Sequence, residues 1–278
     1  MWDKARFLLR FAAAGTLLFF LTAAASGAEK FFSDLKPGDR IVCGGVYEGH
    51  LQGVATDGRS IYWAFTKCVV RTAPDGKVLA KSAVKGHAGD PCWYNGRLYV
   101  PVAQGSFNRE LKKGEASKNY IYEFTPKLKL VKIHHVPQVK YGVGCIAAHN
   151  GRFFVSGGRP NGKKGNTVYE YSAKFKFLCK HELGFDSVIG IQTIKRIAGK
   201  WYFGCYGTGG KTIVTGDDFR VSGRVRPLLA VGMIETADGL VLEGEVEWVT
   251  PGKTGRGILR VGRPTPVKSS PTAPAGRP

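Results

Sequence analysis

The sequence predicts an all-β protein, a five-bladed β-propeller closed by a strand from its N-terminal end. The first observation is a phrase that recurs five times: a glycine, several apolar residues, a polar turn that ends in glycine, and an apolar or aromatic strand. The second is its spacing, which is typical of solenoids and propellers. The third is that no stretch after the N-terminal segment shows an apolar period of 3.6, so helix is scarce. The five copies open at Gly53, Gly89, Gly144, Gly190 and Gly232.

Each copy follows the pattern strand, turn, strand, loop, strand, turn, strand. In the first copy, Asp57-Gly58 joins the first two strands, because glycine accepts a positive φ without steric cost. Pro74-Asp75-Gly76 joins the last two strands in the same copy. Four antiparallel strands repeated around an axis form a propeller. Evenly spaced short strands also suit a β-sandwich, and the sequence leaves that alternative open.

The last copy is one strand short, since Gly257–Val261 is its final apolar run. The segment Arg40–Gly44 precedes the first copy and has no partner there. We expect this segment to supply the missing outer strand and close the ring. Closure would hide two sheet edges that otherwise invite aggregation.

The two ends of the chain differ in composition from the repeats. Residues 1–28 have the order of a secretory signal peptide: basic residues, an apolar run at 11–25 and small residues at 26–28. That run is shorter than the roughly 20 residues of a membrane span, although an uncleaved anchor is the alternative. We expect one propeller domain at 29–263, secreted or periplasmic, with no transmembrane span. Residues 264–278 are rich in Pro, Ser, Thr and Arg and predict a disordered tail.

The chain is strongly basic, with 41 Lys and Arg against 21 Asp and Glu and a formal net charge of +20. A field of this sign attracts anions and polyanions. In an exported protein, the expected partners are an anionic polysaccharide, another envelope component or a partner protein. No motif for specific nucleic-acid recognition is present. The alternative is that the charge supplies only solubility and surface adhesion.

The six cysteines form no CxxC pair, which disfavours a zinc ribbon. Each lies in a strand-like run, and free cysteine is among the most buried residue types. We expect mostly buried thiols, with room for one or two bridges between neighbouring strands. The cysteines are Cys43, Cys68, Cys92, Cys145, Cys179 and Cys205.

Polar side chains cluster near the opening glycines, where the inner strand of each blade meets one face of the propeller. His50, His87, Asp90 and Glu235 are the candidate catalytic groups. His50, His87 and Glu235 also form a candidate three-ligand set for a divalent metal, the one cofactor that the sequence leaves open. The alternative is structural: Asp90 caps a turn and His87 bonds a neighbouring blade.

Two long polar segments, 104–119 and 157–166, are rich in Gly, Asn, Ser and Lys and predict surface loops. Binding residues are commonly carried on loops held by a rigid scaffold. The predicted ligand-binding residues come from the first loop and from the polar set near the opening glycines. They are Arg109, Lys112, Lys113, Gln52, Tyr141 and Gln192.

The segments His50–Val54 and His87–Pro101 resemble exported bacterial five-bladed propeller proteins, most of them uncharacterised. The opening Gln52-Gly53-Val54 is also distantly similar to that of the five-bladed glutaminyl-peptide cyclotransferases. That family continues with Ser-Thr-Gly, where this chain has Ala64-Phe65-Thr66-Lys67. The resemblance implies the fold. It leaves two functions open: a binding or scaffold module, and a hydrolase, lyase or cyclotransferase acting at the mouth of the channel.

Overall fold

The computed structural model describes residue 32 and residues 34–105, 107–236 and 239–267. Its strands form five antiparallel sheets, each built around consecutive strands of the chain, so the predicted five-bladed β-propeller is confirmed. Five separate sheets exclude the two-sheet sandwich. The predicted signal peptide at residues 1–28 lies outside the described residues.

The strands are numbered in chain order and grouped by blade. The chain begins with β1 (Arg40–Val42) and β2 (Tyr47–Glu48), which belong to blade 5. Blade 1 contains β3 (Leu51–Thr56), β4 (Ile61–Phe65), β5 (Cys68–Thr72) and β6 (Val78–Ala83). Blade 2 contains β7 (His87–Ala88), β8 (Cys92–Tyr94), β9 (Arg97–Ala103), β10 (Asn119–Phe124) and β11 (Leu130–His135).

Blade 3 contains β12 (Val143–His149), β13 (Arg152–Gly157), β14 (Asn166–Ser172) and β15 (Phe177–Leu183). Blade 4 begins with β16 (Thr193–Ile197), β17 (Lys200–Gly204), β18 (Thr212–Thr215) and β19 (Val221–Arg226). Blade 5 contains β20 (Met233–Glu235), β21 (Val241–Thr250) and β22 (Thr254–Gly262). The last strand, β23 (Thr265–Pro266), returns to the outer side of blade 4.

The ring closes as the sequence predicts. Strand β1 pairs antiparallel with β22, and Ile41 lies opposite Leu259 in that register. Ile41 is buried in the core between blades 5 and 1, whereas its neighbour Val42 is exposed. The segment before the first repeat therefore completes the last blade, which links the two ends of the propeller.

The opening glycines are required because the inner strands approach one another closely at the axis. A Cβ atom on Gly53 would lie 2.3 Å from both the Cα and Oδ1 of Asp90, in the next blade. A Cβ atom on Gly89 would lie 2.0 Å from the carbonyl oxygen of Gly144, again one blade further. Backbone at these distances leaves no room for a side chain. The recurring glycine is thus explained by packing around the axis.

All six cysteines are free, and five of them are buried, so the expectation of mostly buried thiols is confirmed. Cys179 is the exception, because it lies exposed on the outer strand β15. The C-terminal boundary also shifts. β23 pairs with β19, and the Val267 backbone N–H donates to the Arg224 carbonyl, 2.9 Å apart. Residues 264–267 therefore pack on blade 4, and the rest of the predicted tail lies outside the described residues.

Within the described part of the chain, no helix is both long enough and apolar enough to cross a membrane.

Candidate functional site

The amino ends of the inner strands surround an opening on one face of the propeller, here called the central pocket. Its volume is about 180 Å³. The structure brings together four of the polar residues predicted from the sequence, His50, Gln52, His87 and Gln192, and adds others from the connecting loops. The polar side chains at its wall belong to His50, Gln52, His87, Asn108, Gln192 and Tyr206.

His50 uses both ring nitrogens within the protein. Nδ1 lies 2.8 Å from the Leu51 carbonyl oxygen, to which only a protonated nitrogen can donate. Nε2 then accepts from the Gln52 side-chain amide, 3.0 Å away. That amide also contacts the Thr66 hydroxyl at 3.3 Å. His50 is therefore held in one tautomer by its neighbours and presents no free nitrogen to a ligand.

His87 differs from His50 because its ring nitrogens have no hydrogen-bond partner among the described residues. Its ring packs against Phe107, with centroids 4.8 Å apart. The pKa of His87 is lowered to about 4, mainly by burial and to a smaller extent by the nearby His50 and Lys67. His87 is thus a neutral imidazole at neutral pH. It is the group in the central pocket best able to accept or donate a hydrogen bond to a ligand.

Asp90 lies beneath the central pocket and not at its wall. Its side chain is wholly buried, and Oδ1 accepts from the Val54 backbone N–H at 3.2 Å. The Lys195 ammonium lies 3.1 Å from Oδ2. Burial raises the pKa of Asp90 to about 6, although Lys195 opposes this. The prediction of Asp90 as a catalytic group beside His87 is not supported by this placement, which makes the carboxylate a structural link at the axis.

Glu235 lies at the opposite end of the axis, so the predicted metal set of His50, His87 and Glu235 is not brought together. It lines a second opening of about 220 Å³ with Lys195 and Arg196. The physical reason is the direction of the inner strands. In every blade the inner strand runs along the axis from the face of the central pocket to the opposite face. His50 precedes its inner strand, whereas Glu235 ends its own. Residues at opposite ends of such strands reach opposite faces.

A larger cleft adjoins the central pocket on the same face, and Gly158 lines both. This cationic cleft has a volume of about 760 Å³. Tyr141, which the sequence analysis selected, lies here and not at the axis. Other side chains at the wall of the cleft are those of Lys140, Lys163, Lys164, Tyr169, Lys180 and Glu182.

The two predicted surface loops meet beside the cationic cleft. The Asn108 backbone N–H donates to the Tyr141 carbonyl at 2.9 Å, and its side-chain oxygen accepts from the Arg159 backbone N–H at 3.2 Å. Lys163 reaches from the second loop to Glu110 of the first, with Nζ 2.6 Å from Oε1. Lys163 Nζ also lies 4.6 Å from the centroid of the Tyr141 ring. These contacts fix both loops on one face.

The basic residues predicted to bind ligand on the first loop lie elsewhere. Arg109 forms two hydrogen bonds to the Glu115 carboxylate, at 2.7 and 2.9 Å, within its own loop. Arg109, Lys112 and Lys113 are not among the residues that line the two pockets of this face. Arg159 of the second loop is buried, and it donates to the carbonyls of Gly165 and Ser187. Its role is to anchor that loop.

Sequence reasoning missed Lys195, Phe107 and Tyr206. Lys195 lies in the middle of β16, the inner strand of blade 4. The inner strand of each repeat lies next to the axis. A lysine at such a position is unusual for a buried strand and was a usable signal. Phe107 and Tyr206 come from loops, whose paths no repeat specifies.

The fold and this face define a basic five-bladed β-propeller with a small central pocket and an adjoining cationic cleft. No protein-family model matches the chain, and no curated protein matches it. Solved structures with a similar fold include the following two. One is a protein of unknown function from Bacteroides caccae, with a TM-score of 0.51 and 12% identity, over 78% of this chain and 85% of that one. The other is the glutaminyl cyclase of Myxococcus xanthus, with a TM-score of 0.56 and 12% identity, over 84% of this chain and 100% of that one.

Proposed function

We propose that this protein binds an anionic carbohydrate chain in its cationic cleft, as a non-catalytic module of the cell envelope or exterior. The observation that carries the proposal is the make-up of the cleft wall, where four lysines and two tyrosines face a single glutamate. Lys163 and Lys180 are already paired, with Glu110 and Glu182. Lys140 and Lys164 have no acidic partner within 4.0 Å among the described residues.

The chemistry of this wall favours an acidic sugar over a simple anion. A tyrosine ring offers an apolar face and a polar tip, which suits a pyranose with one C–H face and several hydroxyls. Unpaired ammonium groups beside it would bind carboxylate or sulfate groups of the same chain. A cleft of about 760 Å³ falls within the usual size of a ligand site, so it can hold a short segment of a polymer. The net charge of +20 would speed the approach of any polyanion.

The test is binding of the full chain to heparin and to polygalacturonate at several salt concentrations. The double variant Lys140→Glu/Lys164→Glu is expected to weaken binding by about tenfold or more, a change of about 1.4 kcal/mol. Binding by the unchanged protein should weaken as salt screens the charges.

The chain offers a matched control on the opposite face. Lys127 and Lys174 are exposed and lie in corresponding turns of blades 2 and 3, between the last two strands of each. Lys127→Glu/Lys174→Glu changes the net charge by the same amount but should leave binding nearly unchanged. Equal losses in the two double variants would show that net charge alone holds the polyanion, and would contradict a site in the cleft.

A second candidate function is catalysis at the central pocket, and the unpartnered neutral ring of His87 favours it. A neutral imidazole in a small pocket can act as a general base. The fold shared with glutaminyl cyclase suggests the first substrate to try, a peptide with N-terminal glutamine. In that reaction, the α-amino nitrogen attacks the side-chain amide carbon and ammonia leaves. Ammonia release that is abolished by His87→Ala would support this candidate, and its absence from the unchanged protein would exclude this reaction.

A further inference from the structure

A cluster of metal-ligating side chains lies on the outer strands of blade 3, away from the central pocket. Glu170 on β14 is buried, His181 on β15 is half-buried and Cys179 on β15 is exposed. Cys179 and His181 are two residues apart on one strand, so their side chains share a face. Cys179 lies directly opposite Glu170 in the register of the two strands. Among the described residues, this is the one group of three such ligands whose donor atoms lie close together.

We propose that Glu170, Cys179 and His181 bind a divalent metal ion of the Zn²⁺ class. Thiolate, imidazole and carboxylate are the ligands of zinc sites, and three protein ligands leave the fourth position open. The Cys179 thiol lies on the exposed outer strand, so this open position lies near solvent. The proposal does not depend on what the cleft binds.

The distances between the donor atoms support this proposal. Tetrahedral Zn²⁺ at its usual bond lengths keeps a sulfur ligand about 3.5 Å from a nitrogen or oxygen ligand. Cys179 Sγ lies 3.5 Å from His181 Nε2 and 3.4 Å from Glu170 Oε2. His181 Nε2 and Glu170 Oε2 are 2.7 Å apart, a hydrogen bond that the metal would replace. That pair would open by about 0.7 Å, to the roughly 3.4 Å of two ligands on one ion.

The proton balance of the binding step is simple. In the metal-free protein, His181 Nε2 carries a proton and donates it to Glu170. Metal binding moves the proton of the neutral ring to Nδ1 and releases the Cys179 thiol proton to solvent, since the thiolate is the ligand. Arg152 holds the other carboxylate oxygen of Glu170, which leaves Oε2 facing the two β15 side chains. Outer contacts of this kind fix the orientation of a ligand.

Blade 2 contains the same Arg–Glu–His arrangement without the cysteine. A comparison of the two blades therefore separates a structural role of these residues from a metal-binding role. Arg97, Glu123 and His134 correspond to Arg152, Glu170 and His181, and His134 Nε2 lies 2.9 Å from Glu123. Lys132 lies opposite Glu123, at the position that Cys179 has in blade 3. The Arg–Glu–His group is therefore a repeated structural feature.

What blade 3 adds is a thiol within reach of both donors. A nucleophilic role for that thiol is disfavoured, because burial and the Glu170 carboxylate raise the pKa of Cys179.

The test uses Co²⁺ as a spectroscopic probe on the purified full chain, after removal of metal with a chelator. We expect one equivalent to bind, with a thiolate-to-cobalt charge-transfer band that Zn²⁺ abolishes by displacement. Cys179→Ser should lose the band and weaken Co²⁺ binding by about tenfold or more. His181→Gln should weaken binding in the same way. Circular dichroism and the thermal midpoint report that each variant remains folded.

Blade 2 supplies both controls. His134→Gln removes the corresponding imidazole and should leave the titration unchanged. Lys132→Cys completes the same three donors in blade 2 and should add a second equivalent of Co²⁺ with its own charge-transfer band. A charge-transfer band of unchanged intensity in Cys179→Ser, or the absence of any such band in the unchanged protein, would overturn the proposal.

Discussion

The Lys195 ammonium lies 3.1 Å from the Asp90 carboxylate at the axis of the propeller, although the two residues belong to blades 4 and 2. Asp90 also accepts from the Val54 backbone N–H in blade 1. Its own backbone N–H donates to the Gly144 carbonyl in blade 3, and its carbonyl accepts from Ile146. A single aspartate thus links four blades. It lies between the openings on the two faces, where the axis is closed by packed strands and an ion pair.

The buried carboxylate of Asp90 predicts an unusual dependence of stability on pH. Burial raises its pKa from 3.8 in the unfolded chain to about 6 in the folded protein. Between these values, the folded protein holds a proton that the unfolded chain has lost. The free energy of unfolding contributed by Asp90 should therefore fall as pH rises from about 4 to about 6, by about 3 kcal/mol in all.

The measurement is urea denaturation of the unchanged protein and of Asp90→Asn across this pH range. The difference between their unfolding free energies should change with pH in the direction given, since all other groups titrate alike in both. Asp217→Asn is the control, because its carboxylate is 64% exposed and its pKa is lowered by Arg196. A difference that stays constant with pH would contradict the burial of Asp90 at the axis.

Gly53→Ala should be strongly destabilising. The new Cβ atom would lie 2.3 Å from the Asp90 Cα, and backbone at the axis cannot move aside without moving a blade. Overpacking of this kind typically destabilises by about 1–3 kcal/mol, and we expect the upper end of that range. Gly223→Ala, on an outer strand with no atom within 4 Å of the new Cβ, should change stability by less than about 0.5 kcal/mol. Equal effects in chemical denaturation would show that Gly53 has more space than the packing implies.

The fold was predictable from the sequence because the same packing constraint acts once per blade. Each blade needs a glycine where its inner strand approaches the next, so the constraint appears as a repeat. The strand Arg40–Val42 was predictable as the closing strand because the last repeat lacked one. Both arguments use only the order of strands along the chain.

The site was less predictable because the repeat does not state which end of an inner strand a residue occupies. His50 and Glu235 both lie near an opening glycine, yet they reach opposite faces. The pairing of Asp90 with Lys195 joins residues far apart in the chain, and a strand pattern carries no information about such a contact. The sequence predicted mostly buried thiols and did not single out Cys179. This residue is exposed because it lies on the outer strand of its blade, where Leu178 and Lys180 are exposed as well.

Because β1 closes the ring, substitutions at its adjacent residues Ile41 and Val42 should differ in their effect on the free energy of unfolding. Ile41 is 8% exposed and packs in the core between blades 5 and 1, whereas Val42 is 39% exposed. Ile41→Ala should destabilise the protein by about 2–3 kcal/mol, since it leaves a cavity in that core. Val42→Ala should have an effect below about 0.5 kcal/mol. Chemical denaturation measures both, and similar values would mean that β1 does not hold the ring closed.

His87 should make the stability of the protein depend on pH in the direction opposite to Asp90. Its pKa is lowered from 6.5 to about 4, first by burial and then by the nearby His50 and Lys67. As pH falls from about 6.5 to about 4, the unfolded chain binds a proton that the folded protein excludes, so this group lowers stability in that window. His87→Gln should remove the loss. Its effect on the slope is separable from that of Asp90→Asn because the two variants change the slope in opposite directions.

The pKa of His87 can also be measured directly. Its proton NMR signal, assigned by its absence in His87→Gln, should titrate with a midpoint near pH 4. His50→Gln should raise that midpoint, because the charge of His50 is one of the causes of the lowered pKa. A midpoint near 6.5 in the unchanged protein would place the ring in solvent. The ring would then not be buried in the central pocket as the structure places it.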